Sequence, residues 1–141
     1  MTEETVTPAR PLSPHLSVWK WGPGMTTSIA HRVLGSGMAL VGSILLVWWL
    51  AALATGPAYY AQFVDVFTYK AGTLNAAGWI VGVGLTFALF QHLASGVRHL
   101  VMDVGANFEL QANKTTAWLT LAFSLVATIL FWVVIWEKVK G

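Results

Sequence analysis

The chain has 141 residues, 56% of them hydrophobic and only 10% charged, a balance far from that of an ordinary soluble domain. It contains no cysteine, which excludes disulfides, thiolate catalysis, iron–sulfur ligation and cysteine-based zinc sites within the chain. The net charge of +2 is carried by basic residues scattered singly, so no basic stripe exists and nucleic-acid binding is excluded too.

Residues 1–27 hold four of the five prolines (Pro8, Pro11, Pro14, Pro23) and the acidic pair Glu3–Glu4. A secretory signal has a basic start and an apolar run, and a transit peptide is Arg-rich and poor in acids; this segment fits neither. It reads as an extended arm outside the hydrocarbon, with Trp19 and Trp21 suited to the membrane interface.

Three stretches then lack Asp, Glu, Lys, Arg and His altogether: residues 33–64, 71–91 and 115–136. Each exceeds or meets the ~20 residues that cross a bilayer. The first span is predicted at about 28–53, with Ser28, His31 and Arg32 just inside its start. Gly35, Ala39 and Ser43 follow at four-residue spacing as a packing strip, and the Gly56–Pro57 turn ends the helix. Residues 57–75 form an aromatic connection (Tyr59, Tyr60, Phe63, Phe67, Tyr69), expected to lie along the surface as a short helix.

The second span is predicted at about 75–102, with Gly78 and Gly82 as a packing strip and Asp103 at its end. The third, about 115–136, carries no ionisable group; Trp118 and the Trp132/Trp136 pair are expected to anchor its ends. The predicted fold is therefore all-α: an integral membrane bundle of three transmembrane helices with an N-terminal extended arm, one membrane-anchor domain over residues 1–141. Five basic residues (Arg10, Lys20, Arg32, Arg98, Lys114) fall on the N-terminal side against three (Lys70, Lys138, Lys140), which puts the N-terminus in the cytoplasm.

The chemistry concentrates in residues 84–105, GLTFALFQHLASGVRHLVMDVG. On a helix His92, Gly96, His99 and Asp103 share one narrow stripe, in a medium where ionisable groups are costly and face a bundle interior or a cofactor. Gly96 leaves a gap where a flat ligand can approach the backbone. His92 is the expected haem-iron ligand. His92 and His99 share a face ~10 Å apart and cannot clasp one iron. Measured from Ser28, His31 lies ~5 Å deep and His92 ~16 Å below Asp103, so His31 is expected level with His99 and about 10 Å from His92. The opposite iron ligand is accordingly expected from another chain.

The same depths gather Ser28, His31, Arg32, His99 and Arg98 into one polar layer able to hold haem propionates or a quinone head group. Each group also has a plain reading. A membrane histidine can merely bond a neighbouring helix, Arg32 and Arg98 can reach the interface along their stems, and Asp103 can end the helix or pair with Arg98 or His99.

RPLSPHL (residues 10–16), SIAHRVLGSG (28–37) and HLASGVRHLVMD (92–103), in that order and separation, resemble the cytochrome b556 subunits of succinate dehydrogenase, the larger membrane anchor of respiratory complex II. The resemblance covers nearly the whole chain; one departure is Trp19, where many relatives carry Tyr. It implies a haem b shared with a second, smaller hydrophobic anchor subunit that supplies the other ligand. It matches His92 to the iron ligand, His31, Arg32 and His99 to the haem propionate region, and Ser28 and Arg32 to the ubiquinone site.

It also implies iron–sulfur and flavoprotein subunits as partners, lipid around the bundle and no dicarboxylate chemistry in this chain; the lack of a transit-peptide pattern points to a bacterial inner membrane. The competing readings are a haem-free structural anchor or assembly protein, a small transporter, and a haem anchor of a fumarate reductase or hydrogenase. A transporter needs ionisable groups along a path, and the third span offers none.

Overall fold

The computed structural model describes residues 19–70 and 72–140. Five α-helices follow one another: α1 Pro23–Gly37, α2 Ser43–Thr55, α3 Pro57–Phe67, α4 Ala76–Asp103 and α5 Leu110–Lys140, with a π turn over Met38–Gly42 joining α1 to α2. Three lengths are long and apolar enough to cross a membrane: Pro23–Thr55, Ala76–Asp103 and Leu110–Val139. The all-α, three-span expectation holds. Residues 1–18 of the expected arm, with RPLSPHL, lie outside the described residues, while Trp19 and Trp21 meet edge to face at 5.6 Å.

The first span starts at Pro23 rather than Ser28. Proline at the first helical position needs no N–H partner, and the Thr27 hydroxyl donates to the carbonyls of Pro23 and Gly24 inside that turn. The π turn then inserts a residue and shifts the helix face. Of the expected strip, Gly35 meets α4, but Ala39 and Ser43 are exposed and Gly42 faces Leu85 instead. Gly56, at φ 119°, ends α2, and Pro57 starts α3, the short helix expected in the connection.

The second span lies within a residue of its predicted limits. The Asn75 side chain accepts from the Gly78 N–H at 2.9 Å, while its amide donates to the Val66 carbonyl. At the far end, Gly105 N–H bonds the Met102 carbonyl and Ala106 N–H bonds the Val101 carbonyl around a left-handed Gly105. That pair of bonds is a Schellman stop, and Asp103 is the last helical residue. α5 starts five residues before its predicted limit and also runs past its end.

α4 is the central element, packed on α5 along one side and on α1 along the other. The interior is small and polar rather than large and apolar. Ala52, Ala88 and Ala117 are its buried hydrophobic residues among those described, beside buried Thr27, Gln91, Ser95, Arg98, Thr120, Ser124 and Thr128. Large apolar side chains point outward along every span. This is the arrangement lipid favours: burying a leucine gains little there, whereas close backbone approach and interhelical hydrogen bonds hold helices together.

Candidate functional site

The site forms where the second half of α1 crosses the second half of α4. The His31 ring lies flat on the His92 ring, centroids 3.9 Å apart and planes 9° from parallel. It also tilts over His99, centroids 5.0 Å apart. His31 reaches both His92 and His99, so the expected separation of about 10 Å from His92 is not found. The error lies in the starting point. Counted from Pro23, His31 is eight residues in, roughly 12 Å, and His92 is eleven residues from Asp103, roughly 16 Å. The imidazoles are therefore within stacking reach. Gly96 is no gap for a ligand either, since the His31 Cε1 sits 3.8 Å from where its Cβ would be.

Each imidazole has a distinct polar connection. His92 Nδ1–H donates to the backbone carbonyl of His31 at 3.1 Å, which fixes its proton on Nδ1 and leaves the Nε2 lone pair free. Nε2 meets no hydrogen-bond partner among the described residues. His99 Nδ1–H donates to its own helix, to the Ser95 carbonyl at 2.7 Å. The buried Nδ1 of His31 has no partner among the described residues.

Arg32 is exposed and Ser28, one turn earlier, is half-buried; neither side chain bonds a described residue. No carboxylate joins the group, and no cluster of three or more His, Asp or Glu able to hold a bare metal ion occurs among the described residues. The site consists of three imidazoles, a hydroxyl and one guanidinium. It suits an electron-rich or anionic guest, or a metal that already brings most of its own ligands.

Those features fit a porphyrin iron in one respect and limit it in another. An axial ligand is an imidazole with one nitrogen tied to an acceptor and the other bare, and His92 has that form. His31 cannot complete the pair. Axial rings approach one iron from opposite sides, and two rings stacked at 3.9 Å leave no room for a macrocycle between them.

Arg98 leaves the expected polar layer. It is 5% exposed and turns toward α5, where Nη2 donates to Asn113 Oδ1 at 2.9 Å and Nε to Thr116 Oγ1 at 3.3 Å. It neither reaches the interface nor meets Asp103, which is exposed. Gly24 of α1 packs against Asn113 and Arg98 itself, so this guanidinium joins three helices at one end of the bundle.

The polar stripe of α5 was missed by sequence reasoning. Thr116, Thr120, Ser124 and Thr128 recur every fourth residue toward α4, and Ser124 bonds Gln91 at 2.7 Å in the middle of the pair. Their spacing was the available signal. Trp132 packs onto Gly82 and Trp79 of α4.

The family model for the succinate dehydrogenase/fumarate reductase transmembrane subunit matches residues 6–131. The succinate dehydrogenase cytochrome b556 subunit of Rickettsia felis is 36% identical over 132 residues, 94% of this chain and 98% of that relative. The corresponding b556 subunit of Paracoccus denitrificans is 34% identical over 121 residues, 86% of this chain and 88% of its own length. A mitochondrial succinate dehydrogenase cytochrome b560 subunit, from Mus musculus, is 38% identical over 97 residues, 68% of this chain and 54% of the relative.

Proposed function

The chain belongs to the succinate dehydrogenase/fumarate reductase transmembrane subunit family, as a cytochrome b-type membrane anchor, and from that we propose a specific role. It anchors a succinate:ubiquinone oxidoreductase, shares a haem b with a second hydrophobic anchor subunit, and lines part of the ubiquinone-reduction site. The observation that carries this reading is His92, tied at Nδ1 to a backbone carbonyl and bare at Nε2. The stacked His31 ring supports taking the other axial ligand from the second anchor subunit.

His92 would hold the haem iron through Nε2. His31, Arg32 and His99 face the propionates, where Arg⁺ and imidazole N–H groups give charge-assisted hydrogen bonds. Haem, when bound, supplies a one-electron store beside the quinone. The Ser28 hydroxyl donates a hydrogen bond to a quinone carbonyl oxygen, and the Arg32 charge stabilises the negative charge that develops as electrons arrive. Both stand within three turns of the start of α1, toward the end that opens to the aqueous phase supplying protons. Electrons come from succinate through the flavoprotein and iron–sulfur subunits; this chain does no dicarboxylate chemistry. The bias in Lys and Arg and the bacterial relatives support an inner-membrane location with the N-terminus cytoplasmic.

A reduced-minus-oxidised spectrum of the purified complex tests the ligand. A b-type band is expected in the wild type, lost or shifted in His92→Ala. A band unchanged by that substitution overturns the assignment, and a wild-type complex with no such band favours the haem-free anchor.

A further inference from the structure

We propose that Gly35 is a positioning residue for the His92 imidazole: together with the His31 carbonyl it forms a seat on α1 that fixes how Nε2 is presented. The inference rests on the reading of His92 as iron ligand and adds the device that orients it. A Cβ built on Gly35 would lie 2.5 Å from Cε1 and 2.9 Å from Nδ1 of His92, far inside ordinary contact. The ring can yield only by leaving its stacked neighbour or straining its hydrogen bond. One face is covered by His31 at 3.9 Å, and Nδ1 is held by the His31 carbonyl at 3.1 Å.

Cε1 is bonded to both ring nitrogens, so pushing it away moves Nε2 with it and stretches the Nδ1 hydrogen bond. Other glycines on this span lack that relation. Gly37 has nothing near it, and Gly42 would meet only Leu85 Cδ2 and Met38 Cβ at 4.0 Å. Absence of a side chain at position 35 is therefore a requirement of the imidazole across from it, beyond any general need for close helix packing.

The bond to a carbonyl raises the electron donation of an imidazole, which favours the oxidised metal. Loss of the seat consequently has a direction: the haem midpoint potential rises. The test uses the complete complex carrying Gly35→Ala, with Gly42→Ala as the control on the same span. Potentiometry and low-temperature electron paramagnetic resonance of the ferric haem are read alongside subunit stoichiometry.

The expected result is an assembled complex with a raised potential and shifted principal g values in Gly35→Ala, and neither change in Gly42→Ala. An assembled Gly35→Ala complex with wild-type potential and g values overturns the proposal. The seat is also read without any substitution. Proton double resonance on the wild-type ferric haem should find an exchangeable, hydrogen-bonded proton on the non-ligating nitrogen of this imidazole, and its absence overturns the proposal even where Gly35→Ala does not assemble. A b band indifferent to His92→Ala defeats the ligand assignment itself; one that needs His92 but ignores Gly35→Ala defeats only the seat.

Discussion

Ser28 and Arg32 stand one turn apart on α1, and neither spends its hydrogen-bonding capacity within the described chain. Groups of that kind inside a membrane helix are costly unless a partner or substrate engages them. In the complex, Ser28→Ala and Arg32→Leu are each expected to depress ubiquinone reduction tenfold or more, about 1.4 kcal/mol of transition-state stabilisation or above, while succinate oxidation by a soluble acceptor stays near normal. Parallel loss of both activities would mean misassembly and would remove the specific role. The residue types were legible in the sequence, and so was the stripe that carries them. Their mutual distances were not, because depth was counted from Ser28, a familiar helix-starting residue, when Pro23 opens the helix five residues earlier.

Arg98 links elements rather than acting alone. Its guanidinium joins α4 to α5 through Asn113 and Thr116, with Gly24 of α1 against it, and no carboxylate balances it among the described residues. Arg98→Ala and Asn113→Ala are each expected to cost about 1–3 kcal/mol against denaturing detergent, the range for a buried hydrogen bond to a charged group. The double variant should cost less than the sum, and strict additivity would show that the two side chains do not act together.

At this scale legibility depended on whether the signal was local. α4 was readable nearly to the residue because Asn75 and Gly105 are local stop signs that need no tertiary knowledge. The π turn at Met38–Gly42 has no such sign, and with it the small-residue strip beyond Gly35 rotated out of place. The hydroxyl stripe of α5 was hidden for another reason. Thr and Ser carry no charge, and an inventory of ionisable groups passes over them, although in lipid their hydroxyls are what an inward face offers.

The bundle turns large side chains outward and small or polar ones inward. Only lipid and other apolar helices can cover such an exterior, and three crossings put the start of α1 and the α4–α5 turn at one end, as the contact of Gly24 with Asn113 requires. The chain has no cysteine, so single introduced cysteines are unambiguous labels. With the N-terminus cytoplasmic, Ala106→Cys is expected to react with an impermeant thiol reagent only from the cytoplasmic face, and Thr73→Cys only from the opposite one; the reverse pattern would invert the topology. Both positions are exposed loop residues.

The acceptor that steadies His92 belongs to the main chain. Substitution at position 31 can change or remove the stacked ring, yet every amino acid that could stand there brings the same oxygen. That contact is therefore shielded from point mutation in a way a side-chain acceptor never is. Its vulnerability lies in whatever shifts or rotates the helix, so insertions, deletions and bulky replacements at the neighbouring glycine are the changes by which a lineage could lose it.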